Sequence, residues 1–179
     1  MEADIPVIRI SVRNLVEFIL REGDIDNRTG GSTDKEAMQL GSKIHRKIQR
    51  RMGPEYHAEV ALKTEIPCNG FVLRVEGRAD GVIIEKEQTT IDEIKGVLCE
   101  LEQVKEPVGV HLAQAKCYAY IYGSQNDLSE IRVQMTYCQM ETEEIRHFMK
   151  VFTIHELEMC IRDRRDTQRS VGSLGKIRF

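Results

Sequence analysis

The spacing of apolar positions changes from helical to alternating and back, and this divides the chain into a helical front, a strand-rich middle and a mixed end. Ile5 to Ile10 is a short apolar stretch. Ser11 then stands where an N-cap would open a helix through Leu15, Phe18 and Ile19, with Gly23 as its end. The Gly/Asp/Asn-rich segment from Asp24 to Thr33 reads as a loop. Asp34 to Met52 reads as a helix with Met38, Ile44 and Ile48 near one face, stopped by Gly53-Pro54.

From Glu55 the period becomes two. Val60, Leu62 and Ile66 alternate with polar residues, and Asn69-Gly70 is a hairpin signal before Phe71 to Val75. Ala79 to Glu85 and Thr89 to Lys95 are further strand-like runs separated by a polar turn, so the middle reads as a meander of about four strands. Pro107 can begin a helix through His111, Gln114, Tyr118 and Ile121 to a Gly123 stop. Ile131 to Tyr137 alternates again, with Glu144 to Phe152 read as its hairpin partner, and Thr153-Ile-His-Glu156 has capping-box spacing for a last helix. The order predicts an α/β fold in which a mixed central sheet of four or five strands is flanked by helices. One domain over 1–160 is expected, with the Arg- and Ser-rich 161–179 as linker or frayed tail.

Composition narrows the classes. A chain of 179 residues with 41% apolar and 31% charged side chains is expected to bury one core as a soluble globular domain. No apolar run approaches the roughly 18 to 20 residues of a membrane span, and Met1 to Ser11 lacks a secretory pattern. A cytoplasmic location without a membrane partner is therefore expected. The five cysteines form no CxxC pair, which argues against a zinc site or a disulfide framework. With a net charge of -3, any contact with nucleic acid must be a local patch. Lys43, Arg46, Lys47, Arg50 and Arg51 supply one on the second helix, in two i, i+4 rows. Such residues contact phosphates without reading sequence, or form an ordinary solvated helix face.

The segment Glu76-Gly-Arg-Ala-Asp80-Gly, followed by Thr90-Ile-Asp-Glu93-Ile-Lys95-Gly, carries the candidate chemistry. Residues two apart on a strand share a face, so Glu93 and Lys95 project together while Asp92 and Ile94 point away. If the strand of Asp80 lies alongside, two carboxylates converge as a hard divalent cation such as Mg²⁺ requires. Lys95 would then orient or deprotonate a water for attack on phosphorus, while the metal lowers that water's pKa. Each piece has a plain alternative. E-x-K can be a cross-strand charge pair, Asp80-Gly81 turn chemistry, His45 an ordinary helical histidine, and Gln114 with Tyr118 a packed helix face. Glu76 shares strand parity with Asp80, Glu36 lies two turns before His45, and His111 is placed to line the cleft; these are weaker candidates.

An Asp ending one strand and E-x-K about a dozen residues on resembles the PD-(D/E)XK nuclease pattern. Gly41-Ser-Lys-Ile-His45 is similar to the G-x-x-x-H element of the RecB-like branch, and Gln114-Ala-Lys-Cys-Tyr118 to its Q-x-x-x-Y element, in the family's order. The resemblance implies a restriction-endonuclease-like core and a Mg²⁺- or Mn²⁺-dependent deoxyribonuclease with Asp80, Glu93 and Lys95 catalytic. It also implies His45, Asp80, Glu93 and the Ile94 backbone carbonyl as metal ligands. Single-stranded DNA or duplex ends would then be bound by Gln114 and Tyr118, with Lys43, Arg46, Lys47 and Arg50 alongside. The cysteine spacing of an iron-sulfur branch is absent. Gly172-Ser-Leu-Gly175-Lys176-Ile has the wrong spacing for a Walker A loop, so no ATP site is expected in this chain. Ile10 to Asn27 resembles the front of DinG-type, XPD-like DNA helicases, which implies a helicase motor following in a longer chain. A non-cleaving DNA-binding module of such a helicase is the alternative, and an RNA-directed nuclease a third.

Overall fold

The computed structural model describes residues 5–20 and 33–160, with the backbone alone for 33–38. The Gly23 helix end, the 24–32 loop, the 161–179 tail and the side chains of Glu36 and Met38 lie outside the described residues.

Strand β1 (Val7–Ser11) leads directly into helix α1 (Val12–Leu20), whose opening is fixed by the Ser11 hydroxyl accepting the Asn14 N–H at 3.1 Å. Helix α1 buries Val12 and Val16 and packs Leu15 against the core, while Phe18 is 59% exposed. Helix α2 (Thr33–Gln49) ends ahead of Gly53-Pro54. Strands β2 (Tyr56–Cys68), β3 (Phe71–Ile84) and β4 (Thr89–Val97) follow, and β2 and β3 join at Gly70, whose φ of 86° suits glycine alone. Helix α3 (Gly109–Gln125) crosses over to β5 (Glu130–Gln139), parallel to β4, and β6 (Ile145–Thr153) returns antiparallel. Thr153 and Glu156 close a reciprocal capping box, and residues 154–160 are helical.

The result is a mixed α/β fold with a six-stranded sheet flanked by helices, the class expected from the sequence. The sixth strand is β1, read from sequence only as an apolar stretch; it pairs in parallel with β3. Two further differences have one cause. The meander has three strands because β3 runs unbroken through Gly77, and α3 continues past Gly123 to Gln125. A Cβ at Gly77 would lie 2.7 Å from the Tyr118 hydroxyl, and one at Gly123 2.1 Å from Ile154 Cδ1. Both glycines mark close approach of a side chain, not chain breaks.

Helices α1 and α3 cover one face of the sheet, where Ile91, Val133, Met135 and Tyr137 meet Val16, Ala115 and Tyr118. Ile44 and Ile48 of α2 cover the other, on Ile94 and Cys138. Strand β4 is therefore sandwiched, and Thr90 to Ile94 are all buried, as a central strand covered on both faces should be. That burial gives the acidic residues of β4 their properties.

Candidate active site

Strand β3 is longer than any single neighbour on one of its edges. Along the other edge β2 pairs with it from Cys68↔Phe71 to Tyr56↔Ile83. On the shared edge β1 occupies Val72 to Glu76, and β4 occupies Gly81 to Ile84. Between these partners, residues 77–80 of β3 have no strand beside them, and the sheet forks. Backbone groups at a fork need other partners. Past Asp92↔Gly81 the ladder stops, and the Ile94 N–H donates instead to Asp80 Oδ2 at 2.8 Å. The Arg78 N–H turns to the Tyr118 hydroxyl.

The ladder also lapses at Asp80 on the β2 side, where Glu59 adopts φ 55°. The Asp80 carbonyl accepts from Gln49 Nε2 at 2.9 Å, and the same amide donates to Glu59 Oε1 at 3.1 Å. Four residues earlier on α2, His45 Nδ1 is 3.3 Å from Asp80 Oδ1. Helix α2 thus holds Asp80 by both carboxylate and carbonyl through an i, i+4 pair. Gln49 was missed in the sequence because an amide one turn past a histidine has no signature of its own.

Glu93 lies on the α3 face, 1% exposed, with Lys95 Nζ 2.7 Å from its Oε1. Among the described residues its Oε2 is buried with no hydrogen-bond partner. Burial, and then the Asp80 charge nearby, push the Glu93 carboxyl up to about 7, against the pull of Lys95. At His45 burial opposes protonation, but the hydrogen bond and charge of Asp80 leave its pKa raised. A buried carboxylate oxygen without a donor costs free energy that a cation between Glu93 and Asp80 would offset. Among the described residues no three His, Cys, Asp or Glu side chains by themselves form a metal-binding group.

The remaining predicted residues divide. Tyr118 is 4% exposed and its hydroxyl sits with Gln114 and the Arg78 N–H, so it closes the fork from beneath. Burial, then Glu93, push its pKa up to about 12. Lys43 and Arg46 on α2 and Arg50 just past its end are exposed, whereas Lys47 pairs with Glu143, which Arg51 also approaches at 3.5 Å. Glu76 is exposed and pairs with Ser11 and Lys63 in the sheet. Asp92 points to the α2 face, fully buried, and accepts from Thr136 Oγ1 at 2.5 Å, Gln134 Nε2 at 3.1 Å and the Tyr56 hydroxyl at 3.2 Å. These donors sustain a buried carboxylate whose pKa burial nonetheless raises. Gly81 makes room for Tyr56, whose ring atoms lie 2.1 Å from where a Cβ would be.

No family model and no curated protein sequence matches the chain. Among solved structures it is similar to the crystal structure of SSO0001, with 18% identity and a TM-score of 0.57 over 100% of this chain and 81% of that one. That likeness concerns the fold. Looser overlaps occur with an alkaline exonuclease from Laribacter hongkongensis (14% identity, TM-score 0.42, 93% and 95% of the two chains). Rai1 of Scheffersomyces stipitis, in complex with (3'-NADP)+ and calcium ion, overlaps at 10% identity and a TM-score of 0.33, over 90% and 53%.

Proposed function

We propose that this chain is a divalent-metal-dependent nuclease hydrolysing phosphodiester bonds in DNA. The observation that carries the proposal is the partnerless, buried Glu93 Oε2 beside Asp80, at the fork where β1 and β4 leave residues 77–80 of β3 without a strand on that edge. Asp80, Glu93, His45 and the Ile94 carbonyl would hold Mg²⁺ or Mn²⁺. A cation bound there supplies Lewis acidity to the phosphate and an acidified water. Lys95, held on Glu93 Oε1, orients the attacking water and balances charge on the phosphoryl oxygens. Gln114 and Tyr118 form the floor of the fork, and Lys43, Arg46 and Arg50 draw in the phosphate backbone, with Lys47 shared with Glu143. The motif order supports the RecB-like branch, and the resemblance of Ile10 to Asn27 supports a place in front of a helicase motor.

The test is cleavage of labelled single-stranded DNA in Mn²⁺ against EDTA. Asp80→Ala and Lys95→Ala should each lower the rate by at least about a hundredfold, with circular dichroism unchanged. Variants that cut at the wild-type rate would overturn the assignment. One observation favours a second reading, a non-cleaving DNA-binding module: no three metal-ligating side chains form a group among the described residues. DNA binding by the wild type without Mn²⁺-dependent products would favour that module.

A further inference from the structure

Tyr137 of β5 sets the state of a histidine outside the mechanism above. Its hydroxyl accepts the Val108 N–H at 2.9 Å and lies 3.3 Å from His111 Nδ1. The Val108 N–H can only donate, and among the described residues the phenolic proton has no acceptor other than Nδ1. The phenolic proton is satisfied when His111 Nδ1 accepts it, which places the ring hydrogen on Nε2. Burial, with Lys95 and then Arg13 nearby, lowers the His111 pKa to about 4, so the ring is neutral across the physiological range.

Its position ties this donor to the fork. His111, Gln114 and Tyr118 stand at i, i+3 and i+7 on α3 and form one stripe. Tyr137 is the register partner of Lys95, so the two side chains share a face, and the His111 ring centroid is 6.2 Å from that of Tyr137. His111 thus sits at the Lys95 end of the site, one helical turn beyond Gln114.

We infer that His111 binds the substrate strand: its Nε2–H donates a neutral hydrogen bond to a non-bridging phosphodiester oxygen next to the one attacked. Between two cations, a neutral donor adds a hydrogen bond without adding repulsion. The inference rests on the nuclease reading for its substrate, but its test does not need cleavage.

The experiment is fluorescence anisotropy of a labelled single-stranded oligonucleotide with the full chain in EDTA, across a salt series, for wild type, His111→Ala, His111→Gln and Arg46→Ala. His111→Ala should weaken binding about tenfold with an unchanged salt slope, because a neutral donor releases no counterion. Arg46→Ala should reduce the slope. His111→Gln, which keeps an N–H donor, should recover part of the loss, and it serves as the test if His111→Ala misfolds. Imidazole ¹⁵N spectra at neutral pH should show hydrogen on Nε2. Wild-type affinity in both His111 variants, a changed slope in His111→Ala, or hydrogen on Nδ1 would overturn the inference. A wild type that binds but never cuts refutes the nuclease reading alone, and one that cuts while the His111 variants bind normally refutes this inference alone. A wild type that binds no oligonucleotide refutes both.

Discussion

Replacing Gly77 with alanine is a sharp probe of the fork. The added methyl would lie 2.7 Å from the Tyr118 hydroxyl, 2.9 Å from its Cε1 and 3.2 Å from its Cζ. The ring cannot retreat freely: it is 4% exposed in the main core, and its hydroxyl holds Gln114 and the Arg78 N–H. Overpacking of this kind costs about 1 to 3 kcal/mol, which for a chain of this length is about 2 to 4 °C in Tm per kcal/mol. Thermal unfolding followed by circular dichroism measures it. In a Tyr118→Leu background the clashing atoms are gone, and the same substitution should cost at least about 0.5 kcal/mol less, a coupling that a double-mutant cycle reads directly. A Gly77→Ala protein melting within about 1 °C of wild type would refute the close-approach argument, and with it the explanation for the unbroken β3.

Gln49→Leu removes the donor to the Asp80 carbonyl and should cost about 1 to 3 kcal/mol by urea unfolding, with weaker Mn²⁺ binding in titration calorimetry. An unchanged Mn²⁺ affinity would remove Gln49 from the site. Glu93→Gln takes away a buried charge whose Oε2 has no donor, so in EDTA the variant should melt higher than wild type, whereas Mn²⁺ should stabilise wild type and not the variant. The opposite order in EDTA would show that Lys95 already compensates the carboxylate. His111 is faced by Lys95 of β4, Arg13 of α1 and Tyr137 of β5, and its folded pKa lies below the unfolded 6.5, at about 4. The unfolded state binds the extra proton in that window. Stability present above pH 6.5 should therefore be lost as pH falls toward 4 in wild type, and much less so in His111→Gln. Parallel pH profiles for the two would contradict a neutral His111.

What could be read along the chain was local. The Ser11 cap, the Gly70 turn, the Thr153/Glu156 box and the shared face of Glu93 and Lys95 each depend on residues within a few positions, where backbone geometry leaves few choices. The α/β class followed from those periods. The glycines show where this failed. Gly77 and Gly123 look like breaks in isolation, and only the arrival of Tyr118 and Ile154 explains them. On α1, Val12 and Val16 turn inward and Phe18 does not, because which face is covered was set by where α3 and β3 lie.

The candidate site divides along the same line. Sequence alone determined which residue types were available and in what order: an Asp, an E-x-K strand, a histidine before them and a Gln/Tyr pair after them. Tertiary structure decided that β1 and β4 share one edge of β3 and leave 77–80 between them. It alone brought Gln49 to the Asp80 carbonyl, Lys47 to Glu143 and Tyr137 to His111. These partners lie 26 to 96 residues apart. Over such separations no backbone constraint carries information, and contact is set by packing and by the need of buried polar groups for partners.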